Sequence, residues 1–269
     1  MAKSQQNNAI KPRILMLAPS CYPPGNPEAF VNANLVSSML EAGWGVDVVT
    51  CADNVYHWYP ESAELWKDVA QHAHNVEERA RTLVHRLLSG AECFLLSGHI
   101  IGGGRWAVPA ARRALKLATS RMYDVIISRS LPSSAHLSAY IVADKTGIPW
   151  IANWNDPDPD YKFPEPYARG NGAGTQMGFW ETRYYGAMAK KAAWHTFPCE
   201  RLRSYICGYL PLDVALRSSV VPHLASEPYR RKGGRGSIFS LLCRKFASSQ
   251  RSNAFSARCE DISESGPHC

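Results

Sequence analysis

Several signatures are missing from this 269-residue sequence, and each absence removes a class of protein. No apolar run reaches the length that a membrane span needs. Met1–Lys11 is polar and carries no apolar core of a secretory leader. The eight cysteines include no CxxC pair, so a zinc site loses its usual spacing, and reduced thiols in a cytosolic protein are expected. His72 and His74 stand two apart, which on a helix sends them to different faces and prevents their pairing as ligands there. A GxGxxG fingerprint is absent, and so is a GxSxG elbow. Gly102-Gly-Gly104 is not followed by the Lys-Ser/Thr of a P-loop, which favours a hinge over a phosphate cradle. No internal repeat is visible.

The net charge of +7 is unevenly placed. Residues 226–269 hold eight Lys/Arg against four Asp/Glu, so the body of the chain is only weakly basic. Aromatic and basic residues are not interleaved, and a nucleic-acid partner is not expected. A weak attraction to anionic lipid surfaces stays open.

What is present is alternation. Arg13–Ala18 is an apolar run closed by Pro19, Glu28–Glu41 reads as a helix, and Val46–Thr50 as a second strand. A strand, helix and strand in so short a span open a parallel, right-handed sheet. Ser62–Leu88 carries apolar residues at mixed helical spacings and is predicted helical. Beyond the triple glycine come a helix over Arg105–Ser120, a strand at Asp124–Ser128, a helix over Ser133–Thr146 and a strand at Pro149–Asn153. A Pro/Gly/Asp-rich loop spans Asn155–Gly174. Then follow a helix over Thr175–Lys191, a strand at Trp194–Phe197, a helix over Glu200–Cys207 and a last strand at Arg217–Val221. The expected fold class is α/β, a doubly wound parallel, Rossmann-like sheet.

Ligands of such sheets bind beyond the carboxyl ends of the strands, where strand order reverses. That rule selects three loops. In the first, Gly25 permits close backbone approach, and Asn26 and Glu28 stand at a helix N-terminus that favours anions; an ordinary Pro-rich turn is the alternative. The second runs from Ser128 to His136 and includes Ser130. Ser133 there reads as an N-cap, while Ser134 and His136 lie in the first helical turn beside unpaired N–H groups. A structural or hydroxyl-binding His136 is favoured over a catalytic base. The third loop, Asn153–Asp160, contains Asn155 and Asp156, and its aspartates would cap a helix, hold sugar hydroxyls or bind a metal, the last the less favoured.

The three loops together carry a resemblance. Arg13–Thr50 resembles the first strand–helix–strand of family-4 glycosyltransferases, which have the two-Rossmann GT-B fold. Asp124-Val-Ile-Ile-Ser, then Leu-Pro-Ser-Ser-Ala-His, then Gly-Ile-Pro-Trp-Ile-Ala-Asn-Trp-Asn-Asp-Pro look like that family's mid-domain signature. Ala192-Ala-Trp-His-Thr-Phe-Pro and Val220-Val-Pro-His223 are similar to its later pattern. Two positions depart from it: Asn155 stands where members often carry Arg, and Gly25 is alone where a glycine pair is common.

The resemblance implies a polar segment at 1–11, an acceptor-binding domain at 12–225, and a donor domain that would begin after His223. Its implied partners are a glycan or lipid-linked acceptor, with nucleotide sugar bound only if a donor domain is supplied, and no obligatory cofactor or metal. Residues 226–269 instead form a basic, Ser/Cys-rich tail. Cys243-Arg-Lys-Phe246 can be encoded so that the next frame reads Ala-Gly-Asn-Leu, a tetrad typical of the family's donor domain. A frameshifted or truncated product and a natural basic tail are both open. The expectation is therefore a glycosyltransferase-like acceptor half with negligible transfer activity by itself, cytoplasmic or peripheral to a membrane, and self-associating through an uncovered cleft. A non-catalytic carbohydrate- or protein-binding module is the alternative.

Overall fold

The computed structural model describes residues 11–23, 25–51, 66–130, 132–159, 177–211 and 213–223. The expectations for the tail, and for the polar start other than Lys11, lie outside the described residues.

Seven parallel strands form one sheet, flanked by helices on both faces. In chain order they are β1 (Arg13–Leu17), β2 (Gly45–Cys51), β3 (Ala73–Val76), β4 (Val125–Ser130), β5 (Trp150–Trp154), β6 (Trp194–Phe197) and β7 (Ser218–Val220). In space they run β3-β2-β1-β4-β5-β6-β7, so strand order reverses between β1 and β4. This is the doubly wound arrangement expected from the alternation. Because helices cover both faces, the inner strands β1 and β4 carry continuous apolar runs rather than alternating. Ile14, Leu15, Met16 and Leu17 are all fully buried.

One core packs Ile14, Met16, Val125, Ile127 and Ile151 under α1 (Pro27–Glu41) and α2 (Lys67–His72). The opposite core packs Leu15, Leu17, Ile126, Trp150 and Trp154 under α4 (Gly104–Ser120), α5 (Ser134–Thr146) and α6 (Phe179–Lys191). Helix α3 (Leu83–Ser97) lies outside α4, and α7 (Glu200–Cys207) and α8 (Asp213–Leu216) precede β7.

Local chemistry sets the element ends. Asn26 caps α1 by accepting the Ala29 N–H at 2.8 Å, and Pro27 fills the first turn, where its missing N–H costs nothing. Pro109 inside α4 cannot donate to the Arg105 carbonyl, which accepts the Arg79 N–H at 3.2 Å instead. Gly103 begins α4 at φ +84°, and a Cβ on it would come 3.1 Å from the Ser134 Cβ. The triple glycine thus serves as a close-packing junction of α4 with α5.

Two regions differ from the sequence prediction. The stretch predicted helical over Ser62–Leu88 contains strand β3, so His74 lies on a strand and bonds Asp47 at 2.9 Å. Asp47 also accepts from Arg121 at 2.5 Å and from the Tyr123 hydroxyl at 2.8 Å. Burial pushes the Asp47 carboxyl up, but these bonds outweigh it and hold the group below its ordinary value. The second difference is α3, whose apolar sequence continues as helix to Ser97 and has its exposed side chains on the solvent side.

Candidate functional site

Period-two alternation at the end of β4 decides where its polar residues go. Ile127 faces the α1 core and Ile126 the α4–α6 core, so Arg129 points to the α1 side and Ser128 and Ser130 to the other. The same rule on β5 sends Trp154 toward α5 and α6, and Asn155 toward α1. The two sets lie on opposite faces of the sheet, beside the reversal between β1 and β4.

On the α1 side a buried polar network closes. Glu28 sits in the first turn of α1 and Asn32 one turn later, on the same face. Glu28 Oε1 accepts from Asn32 Nδ2 at 3.0 Å and from Asn155 Nδ2. Asn32 Oδ1 accepts from Arg129 Nε at 2.5 Å, and its amide also donates to the Ser20 carbonyl at 2.6 Å. Arg129 Nη2 lies 3.9 Å from Glu28 Oε1. Cys21 is buried near both charges.

Burial shapes the protonation of this cluster. Desolvation pushes the Glu28 carboxyl up to about 7, against Arg129 and the amide bonds that favour its charge. The Arg129 guanidinium is pushed down to about 10 by desolvation, with Glu28 opposing. The Cys21 thiol is pushed up to about 12, again by burial, which makes it a neutral packing group. His223, just past β7, is held below its ordinary value by desolvation and then by Arg129, while Asp156 pulls the other way.

Two buried atoms of the network have no hydrogen-bond partner among the described residues: the donor Arg129 Nη2 and the acceptor Asn155 Oδ1. Buried polar groups are normally satisfied, and these two lack a bond, as do Ser130 Oγ and His136 Nε2 on the other face. A hydroxyl, which both donates and accepts, has the chemistry to bond a free donor or a free acceptor of this kind. Glu28 beside them exchanges its proton near neutral pH.

The opposite face is sealed. His136 is fully buried, with Nδ1 2.7 Å from Ser128 Oγ, which also accepts the Trp150 indole N–H at 2.7 Å. The His136 ring centroid lies 4.6 Å from that of Trp154, whose indole donates to His195 Nδ1 at 3.2 Å. Desolvation drives both imidazoles down, His136 to about 3 and His195 to about 4, so both are neutral.

The structure therefore divides the residues singled out from sequence. Glu28 and Asn155 meet directly, and Asp156 is exposed at the mouth of the same site. Asn26 is occupied as the α1 cap, and Gly25 stands in the turn before it without a left-handed backbone. Ser130, Ser134 and His136 are buried on the sealed face, and Ser133 begins α5 without a side-chain capping bond. Arg129, Asn32 and Cys21 were not singled out. An arginine inside the run Val125-Ile-Ile-Ser-Arg-Ser130 was the available signal, because a charge on a buried strand needs a partner. In the acidic loop, Asp158 is buried near Tyr184 and Tyr185 while Asp156 is exposed, so the two lie in different surroundings. Among the described residues no group of three or more His, Cys, Asp or Glu is placed to hold a metal.

No protein-family model matches the chain, and no curated protein matches it. A solved structure that it resembles is apo UGT2 of Phytolacca americana, a UDP-glycosyltransferase, at 12% identity and a TM-score of 0.38. That alignment covers 90% of this chain and 56% of the other protein.

Proposed function

We propose that residues 12–225 form the acceptor-binding half of a GT-B glycosyltransferase, and that the Glu28–Arg129–Asn32–Asn155 cluster receives a hydroxyl of a glycan or lipid-linked sugar. The observation that carries the reading is a buried network around Glu28 with a partnerless donor, Arg129 Nη2, and a partnerless acceptor, Asn155 Oδ1, at the reversal of strand order. Sugar recognition requires groups that donate and accept side by side, and buried ones discriminate most strongly. The family resemblance of the sequence supports the same assignment. In this reading the nucleotide-sugar side of the cleft belongs to a second Rossmann domain, and transfer requires both halves.

Titration calorimetry of the chain against oligosaccharides and nucleotide sugars tests the proposal. Binding of glycans, lost in Arg129→Gln and Asn155→Ala, is the expected result. Tight nucleotide-sugar binding that survives both substitutions, or no glycan binding at all, overturns it.

A further inference from the structure

Helix α3 is built inside out. In ideal helical geometry Leu83, Val84, Leu87, Leu88, Phe94 and Leu95 fall within an arc of about 140°. All six are 46–77% exposed, and the buried stripe is Ser89, Cys93 and Ser97. A surface helix of a self-sufficient soluble domain has the reverse pattern, and an apolar area of this kind marks an interaction surface.

The patch continues onto the start of α6. Phe94 meets Trp180 edge to face, with ring centroids 6.3 Å apart, and Trp180 meets Phe179 at 5.3 Å. Phe179 is itself largely exposed. The rim is basic, with Arg81, Arg86 and Arg183 exposed. The acidic residues of the two helices are both engaged. Glu92 pairs with Arg79 at 2.7 Å and Arg112 at 3.1 Å, and Glu181 accepts the Gly178 N–H at 3.0 Å.

We propose that this α3–α6 face docks on the surface of an anionic lipid bilayer. A leucine-rich arc with Phe and Trp beside it and arginines at its border is the chemistry of a helix lying in the interface plane. Arginine stems cover apolar surface while their heads reach anionic headgroups, and indole rings favour the same depth. At 15 residues α3 is too short to cross, so it lies along the surface. A second copy of the chain fits less well, because the same patch facing itself brings one basic rim against another. Helices α4, α5 and α6 each start at the carboxyl edge of the parallel sheet, and α3 ends beside the start of α4. Phe94, Phe179 and Trp180 therefore lie at the sheet edge that holds Glu28 and Arg129. The docking stands on this surface chemistry whether or not the chain moves sugar. If both proposals hold, the acceptor is one presented from a membrane.

Flotation of the full chain with phosphatidylcholine vesicles, with and without phosphatidylglycerol, tests the proposal. The wild type is expected to float with the anionic vesicles. Leu87→Glu with Leu95→Glu should weaken partitioning about tenfold or more, because each places a charge at apolar depth. Both sites are exposed, so the far-UV spectrum and unfolding midpoint should not change; Phe179→Ser with Trp180→Ser gives an independent second variant. Arg81→Ser, Arg86→Ser and Arg183→Ser together should reduce the preference for phosphatidylglycerol. Vesicle binding that is fully salt-sensitive and survives both pairs of apolar substitutions would be the basic tail acting alone, and overturns the proposal. So does a vesicle-indifferent dimer that Leu87→Glu and Leu95→Glu convert to monomer.

Discussion

On the α1 side of the sheet, Arg129 and Glu28 keep a buried charge pair held by Asn32 and Asn155, whereas on the α5 side His136 and His195 stay neutral beside tryptophans. Both groups are buried and β4 links them: Arg129 turns to one face of the sheet, and its neighbour Ser128, bonded to His136, turns to the other. The difference lies in how burial is tolerated. An arginine cannot discard its charge, so its strand must bring Asn32 and Glu28 to meet it. A histidine can, and then needs only a hydroxyl or a carbonyl. The charged face keeps its charge through a network of partners, and the neutral one becomes core.

Breaking the charged side should have the largest effect. Arg129→Met leaves Glu28 buried without its cation and is expected to cost about 3 kcal/mol in urea unfolding at pH 8. At pH 5, where Glu28 carries its proton, the loss should shrink; an equal loss at both pH values would mean that the arginine acts by packing alone.

The neutral side should fail from the acid direction. Folded-state pKa values of about 3 and 4 lie below the ordinary histidine value of 6.5, so this stability is complete above 6.5 and lost as pH falls toward 4 and then 3. Each histidine contributes up to about 1.4 kcal/mol per pH unit in that window. His136→Phe and His195→Phe should each remove one proton from the pH slope of unfolding, measured between pH 7 and 4.

Glu28 has the opposite sign and a smaller expected effect. Its folded value of about 7 lies above the ordinary 4.5, so its contribution is complete below 4.5 and lost as pH rises through 7. Glu28→Gln should remove up to about 1.4 kcal/mol per pH unit from that branch. It should also abolish any rise in glycan affinity as pH passes 7, which calorimetry at pH 6 and 8 reads directly.

The smallest change is expected at Gly103, whose φ of +84° disfavours a side chain and whose added Cβ would press Ser134 on the sealed face. Gly103→Ala should cost about 1 kcal/mol in thermal unfolding and leave glycan binding untouched. A loss of binding would mean that the two faces are coupled.

The sequence prediction succeeded where burial on both faces makes strands continuously apolar, as at β1, β2, β4, β5 and β6. It missed β3 because Ala73-His-Asn-Val76 is a partly exposed edge strand with neither an apolar run nor alternation. Helix α3 was only partly legible: the predicted helical stretch stops at Leu88, whereas the helix runs on to Ser97 with its apolar positions on an outward surface. At the site, Glu28 and Asn155 were legible from loop position. The separation of His136 and Ser130 from them was not, because which side of β4 a residue faces depends on register, and register is fixed only by the packed neighbours.

The outer strands of the sheet carry a further consequence. Among the described residues the ladder ends in β3, four residues long, and β7, three residues long. Arg203 lies against β7, donating to Ser218 Oγ at 2.8 Å and to the Ala215 carbonyl at 2.9 Å. So short a margin, with a guanidinium beside one end, is a poor template on which another polypeptide could add a strand. Fibrous growth by continuation of this sheet is thereby discouraged, and crowding of many copies should yield contacts between helical surfaces that remain reversible.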